Sequence, residues 1–176
     1  MTTAVQRRSE HRVVPWHNKQ GLTEEIACAA SADGGGFDWR ISMARVTENC
    51  AFSLFPGVDR VLVQVSGDPM TLTVDGQRHL LRLFEPFAFA GEAVTGCDLE
   101  GQTLDLNVMT RRGAWTSSVE CVALSGAEVA TEAGFAVALD GSPVVDGVTL
   151  ALGDVVRDPR TLGGTGVVAL ISLRRV

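Results

Sequence analysis

The chain has 176 residues, 45% of them apolar and 20% charged, and its 15 Lys and Arg against 21 Asp and Glu leave a formal net charge of −6. That is enough chain for one domain, or two tightly fused halves, with a sizeable core, and it excludes disordered and fibrous classes. The acidic balance argues against nucleic acid, whose binding draws on cationic faces, and no run approaches the ~20 apolar residues of a membrane-spanning helix.

Arg7 and Arg8 are followed by Ser9-Glu10-His11 where an export signal needs an apolar stretch, so the cytoplasm is the expected location. Pro15-Trp16-His17-Asn18 comes next. Trp16 suits core packing or a pocket wall, and Asn18 suits a turn or a ligand contact. Leu22–Ala30 reads as a strand, although Thr23-Glu24-Glu25 also fits a helix start. Residues 37–45 alternate, so Trp39, Ile41, Met43 and Arg45 share one face and Arg40, Ser42 and Ala44 the other. A regular strand therefore sends Arg40 and Arg45 to opposite sides, one toward a ligand and one toward a surface ion pair. Phe52-Ser-Leu-Phe-Pro-Gly57 then leads to Asp59 and Arg60 at a strand mouth, where the two side chains anchor each other or Arg60 reaches a ligand.

From there, short β-branched segments are broken by Gly, Pro and Asp: 61–66, 70–74, 80–84, 103–109, 118–124, 135–139, 148–152 and 167–173. Many short strands with such punctuation predict an all-β sandwich or barrel. Residues 126–133 suit a single helical turn. Gly163-Gly-Thr-Gly166 reads as a turn, because a strand follows it whereas a phosphate loop opens a helix. In 103–112, Leu104, Leu106 and Val108 share one face while Asp105, Asn107, Met109 and Arg111 share the other. Alternation alone favours solvent over a cavity for that polar face. An internal echo sets Val63 to Gly67, Asp75-Gly76 and Glu85 against Val137 to Gly141, Asp146-Gly147 and Asp154, which predicts one β unit used twice, as two fused small barrels.

Metal and nucleophile chemistry finds no support. His11, His17 and His79 are not spaced to share a metal, and Cys28, Cys50, Cys97 and Cys121 are scattered without a C-x-x-C pair. The cysteines read as small buried apolar groups in a reducing compartment. No G-x-S-x-G elbow is present, and no metal or other cofactor is expected.

Five segments, Pro15 to Ile26, Phe37 to Ala44, Phe52 to Arg60, Phe87 to Glu92 and Asp105 to Arg112, resemble in this order the motifs of the HutD/Ves family, which is associated with bacterial histidine utilisation. One departure is local: Lys19 and Gln20 stand where the family tends to have glycines that let the backbone approach a ligand. The resemblance implies a metal-free bicupin of the RmlC-like jelly-roll type, with halves at 15–112 and 113–176. It implies a protein that binds a small carboxylate of histidine breakdown, of the formylglutamate or urocanate class, and modulates histidine utilisation or a stress response. Arg40 or Arg60 would hold the carboxylate. Asn18 and Asn107 would give neutral hydrogen bonds, Arg111 shares the polar face of Asn107, and Trp16, Trp39 and Phe89 would wall the pocket. The expected partners are the small anionic metabolite and a second copy of the chain, with no nucleic acid and no membrane. Two alternatives remain open: a metal-independent isomerase or hydrolase with Glu25, Asp59 or Asp105 as base, and a protein-interaction module.

Overall fold

The β-branched stretches carry no helical period between their breakers, and they pair as strands. A computed structural model describes residues 4–16, 21–32 and 34–176. The only helix among the described residues is one 3-10 turn at Arg8–Glu10, and none is long and apolar enough to cross a membrane. Two compact units form, one of Arg12–Thr116 with Arg174–Val176, the other of Ser117–Leu173 with the chain up to His11.

In the first unit, six strands make one antiparallel sheet in the order β2 (Arg12–Pro15), β3 (Leu22–Ala30), β4 (Phe37–Val46), β11 (Thr103–Arg111), β6 (Val58–Gly67) and β9 (Phe87–Ala90). Four more make a second sheet in the order β5 (Cys50–Ala51), β10 (Thr95–Leu99), β7 (Met70–Val74) and β8 (Gln77–Leu80). The two sheets pack through Val46 and Leu62 of the larger against Met70, Leu72 and Cys97 of the smaller. Each such Leu or Met contributes about 1.5–3 kcal/mol when removed from water. In the other unit, β1 (Val5–Gln6), β15 (Val155–Arg157), β13 (Phe135–Val145), β16 (Thr161–Arg175) and β12 (Trp115–Ala130) form a sheet, with β14 (Val148–Thr149) paired to β13. Ala136, Ala138, Val145, Val156, Leu162 and Val168 are its apolar interior.

Three sequence expectations change. The strand expected at 80–84 lies instead at Gln77–Leu80, because the two-residue turn Asp75-Gly76 pairs Val74 directly with Gln77. Residues 126–130 continue β12 rather than forming a helical turn. Gly163 to Gly166 lie inside β16 opposite Gly141 to Val144. Glycine is needed at 166 because a Cβ there would lie 2.1 Å from the Asp140 carbonyl oxygen.

The two stretches of the internal echo make corresponding hydrogen bonds. Asp75-Gly76 and Asp146-Gly147 are both two-residue hairpin turns with positive φ at each position (46° and 82°, 49° and 78°). Asp75 N–H donates to the Val94 carbonyl and Val94 N–H donates back to Asp75 Oδ1, both at 2.9 Å. Asp146 N–H likewise donates to the Thr161 carbonyl at 3.0 Å, and its Oδ1 accepts from both Arg160 and Thr161 N–H at 2.8 Å. Further on, Phe84 N–H donates to the Gln64 carbonyl (2.9 Å) as Gly153 N–H does to that of Ala138 (2.8 Å).

Asp146→Ala removes an acceptor shared by two backbone N–H groups and leaves alanine in the left-handed region, so it should cost roughly 1.5–3 kcal/mol in denaturant unfolding. Asp75→Ala, losing one such bond, should cost about 1–2 kcal/mol. Asparagine at either site keeps the acceptor and tolerates the φ, and both Asn variants should unfold near wild type. Equal losses for the Asn and Ala variants would show that the side-chain oxygen does not carry the turn.

Candidate functional site

Strand alternation gathers the polar residues of the larger sheet on one face. β4 pairs with β11 and β11 with β6, so Met109 lies opposite Arg40 on one side and Arg60 on the other, while Asn107 lies opposite Ser42 and Leu62. Two strand spacings, about 10 Å, separate the two arginines at their backbones. Both side chains bend into one cavity of about 190 Å³. The sheet supplies Arg40, Ser42, Arg60, Asp105, Asn107 and Met109 to its lining, and Trp16, Phe52 and Phe55 close it.

Arg60 is the least compensated charge. It is 5% exposed, its Nε finds no hydrogen-bond acceptor, and no carboxylate among the described residues pairs with it. Its guanidinium is stacked instead among the rings of Phe89, Phe52 and Phe55, at 4.9, 5.1 and 5.7 Å from their centroids. Burial, then the charge of Arg40, lowers its pKa to about 10, so it stays protonated at neutral pH. The neighbouring acid does not help, because alternation turns Asp59 to the other side. There Arg112 Nε donates to Asp59 Oδ1 at 2.7 Å, and the same guanidinium makes a forked pair with Glu92 at 2.6 and 3.1 Å.

Arg40 has a counter-charge. Glu25 Oε2 lies 3.0 Å from its Nε, outside hydrogen-bond alignment, while Glu25 Oε1 is 2.9 Å from Arg12. Asp105 has none: it is 1% exposed and its Oδ1 is unpartnered. Burial, with Cys97 adding to it and Thr103 opposing, pushes its pKa up to about 8. Asn107, 8% exposed, also turns an unpartnered Oδ1 to the cavity side. Trp16 is held by Nε1 donating to Thr23 Oγ1 at 2.8 Å and by its N–H donating to the Gly21 carbonyl at 3.0 Å. The indole packs over Gly21, where a Cβ would come within 3.0 Å of the ring.

Of the candidate site residues, Trp16, Arg40, Arg60 and Asn107 come together in the lining, and Phe89 stacks on Arg60. Trp39 is carried on the opposite face of β4, with Ile41 and Met43. Arg111 turns to the Ser31 hydroxyl and to Asp38, 3.5 Å away. Asn18, with His17, Lys19 and Gln20, lies outside the described residues. Arg45 is exposed and donates to Gln102 Oε1 at 3.5 Å. The solvent expected on the polar face of 103–109 is not there, because β11 is central in its sheet and the second sheet covers that face. Phe52 and Phe55 were visible only as motif residues, and their work as a ring box follows from the placement of Arg60.

Among the described residues, the lining holds two guanidiniums, a single carboxylate and no histidine, and no cluster of three His, Cys, Asp or Glu occurs there, so the described donor set does not suit a metal.

A family model, HutD, matches residues 8–156. Protein Ves of Citrobacter koseri is 45% identical over 100 residues, covering 55% of this chain and 52% of its own length. An uncharacterised 21.2 kDa protein in the hutC 3′ region of Pseudomonas putida is 41% identical over 106 residues, covering 58% and 55%. The chain thus spans about half the length of the curated relatives it matches. Among solved structures, HutD from Pseudomonas fluorescens SBW25 superposes with a TM-score of 0.86 at 28% identity over 99% of this chain and 100% of that one.

The raised pKa of Asp105 predicts a pH dependence of stability. Its folded pKa, about 8, exceeds the unfolded value of ~3.9, so the folded form binds the extra proton between the two and stability falls as pH rises through that window. Asp105→Asn keeps the shape without the charge. The variant should gain on wild type by up to several kcal/mol between pH 4 and pH 8 (order ~1.4 kcal/mol per unit). Urea unfolding of both proteins across that range checks it, and parallel curves would refute the burial of a titrating carboxyl.

Proposed function

This chain belongs to the HutD family, associated with histidine utilisation, and from that premise we propose that it is a metal-free, bicupin-type binding protein for a small carboxylate of histidine breakdown, of the formylglutamate or urocanate class. Through that binding it modulates histidine utilisation. The observation that carries the reading is Arg60: a buried guanidinium in a ring box, beside a second arginine, with no carboxylate partner among the described residues. A buried cation is costly until an anion meets it, and a carboxylate meets guanidinium with a planar, two-point hydrogen-bonded fit. The unpartnered Oδ1 of Asn107 then asks the same ligand for an N–H donor, which a formylated amine or an imidazole provides. At about 190 Å³ the cavity lies below the ~300–1,000 Å³ of sites for drug-sized ligands, which favours a small metabolite. The repeated turn-and-strand device supports the bicupin arrangement.

A second reading, a metal-independent acid-base enzyme, has one observation in its favour. Asp105 is protonated at neutral pH and faces the cavity, as a general acid must be. The other two candidate bases are engaged, Glu25 by Arg40 and Arg12 and Asp59 by Arg112. Turnover of a bound acid that disappears in Asp105→Asn and survives chelator would establish this reading.

The test is thermal unfolding and calorimetric titration with N-formylglutamate, urocanate, formiminoglutamate, histidine and glutamate. At 100-fold over its Kd a ligand adds about 2.7 kcal/mol, or roughly 5–10 °C in Tm. One acid should do so, with chelator making no difference. Arg60→Ala should weaken it by roughly 1.5–3 kcal/mol, or about 10- to 150-fold, and Arg40→Ala should act in the same direction. If Arg60→Ala binds the acid as wild type does, the site is elsewhere.

A further inference from the structure

Cys50 and Cys97, 47 residues apart in sequence, are directly opposite each other where β5 pairs with β10. Their sulfurs are 3.5 Å apart. Residues so opposed in an antiparallel pair have Cα atoms about 4.5–5.5 Å apart, inside the range that a disulfide bridges without moving the backbone. Rotation about the two side-chain bonds suffices to close the gap. We propose that Cys50 and Cys97 form a redox-active dithiol that a hydroperoxide converts to a cross-strand disulfide.

Three observations support it besides the register. The pair shares a hydrogen bond between its sulfurs. With Cys50 as the donor in it, the Cys97 thiol is pulled down to about 7 while that of Cys50 is held well above its ordinary value. Cys50 is half-buried and Cys97 is 4% exposed, so the pair is reached from the Cys50 side by an oxidant of the size of hydrogen peroxide. The other two thiols are unlike it. Cys28 is exposed, with a pKa raised by burial and by Glu25, and that of Cys121 is pushed up to about 11 by burial and Glu120.

The chemistry balances on the two sulfurs and one peroxide. The thiolate sulfur attacks one peroxide oxygen and the O–O bond breaks, leaving a sulfenic acid and a hydroxide that takes back the proton the thiol shed on ionising and becomes one water. The second thiol then displaces the sulfenic oxygen as another water, forming the S–S bond. The two sulfurs have lost two electrons, and hydrogen peroxide has become two waters. Because Ala51 and Phe52 follow Cys50 directly and line the cavity, the linkage pins the start of that wall to β10.

The experiment treats the reduced full chain with a slight excess of hydrogen peroxide at neutral pH, alkylates the remaining thiols after denaturation, and maps the peptides by mass. Cys50 and Cys97 should lose label together, at least roughly tenfold faster than Cys28 and Cys121. A linked Cys50–Cys97 peptide should appear and vanish with dithiothreitol. In Cys50→Ser the linked peptide cannot form and Cys97 should accumulate as sulfenic or sulfinic acid. In Cys28→Ser the linkage should form as in wild type. Preferential oxidation of Cys28, or oxidation of Cys50 and Cys97 with no peptide joining them, would overturn the proposal.

Discussion

Strand β11 is hydrogen-bonded along both edges, to β4 and to β6, so its register cannot slip without dragging two neighbours. Its period of two then decides where each kind of chemistry goes. Leu104, Leu106 and Val108 are buried on one face, and Asp105, Asn107 and Met109 are set on the other beneath the second sheet. Met109 stands opposite both Arg40 and Arg60, so the two guanidiniums must meet above it. A slip of β11 by one residue would put its leucines in the cavity and turn Asp105 and Asn107 to the reverse face. The polar floor of the site is thus a consequence of register, and the connecting segments add the rings of Trp16, Phe52 and Phe55 that close it.

The same alternation leaves Arg60 unanswered. Asp59 is adjacent in sequence but points the other way, where Arg112 holds it together with Glu92. Three phenylalanine rings take the place of a counter-ion. Each cation–π contact contributes about 0.5–2 kcal/mol, which offsets part of a desolvation cost of several kcal/mol per buried ion. The remainder of that cost is left uncompensated at Arg60. Arg40 differs in degree, since Glu25 already answers part of its charge and divides itself with Arg12.

Much of this was legible in the residues, because period-two patterns report which side chains share a face. The faces of 37–45 and of 103–109 came out as the structure has them, with Arg40 and Arg45 on opposite sides. What alternation does not report is what covers a face. The polar side of β11 therefore read as solvated, when a second sheet built from 50–51, 70–80 and 95–99 closes over it. Arg111 has the right parity, yet it is the last residue of its strand and turns to Ser31 and Asp38. The meeting of Cys50 with Cys97 depends on a two-residue strand whose pairing no local pattern announces.

The two stretches that share the Asp-Gly turn differ in what they bury. The turns correspond closely, from Asp75 and Asp146 to Phe84 and Gly153, although Asp146 Oδ1 accepts from two N–H groups where Asp75 Oδ1 accepts from one, yet the interiors diverge. Setting Val63 against Val137 puts Gln64 against Ala138 and Leu62 against Ala136, and puts Arg60 against Gly134, just ahead of β13. Glycine and alanine at those places let the second interior close as apolar packing, with Ala136 and Ala138 fully buried. The buried carboxylate of that unit, Asp154, is answered by Arg7 and by the backbone N–H groups of Arg8 and Ala151, whereas Asp105 Oδ1, Asn107 Oδ1 and Arg60 Nε find no hydrogen-bond partner. Polar groups buried without partners carry a desolvation cost, and on the inner face of the first unit that cost is concentrated around Arg60, Asp105 and Asn107.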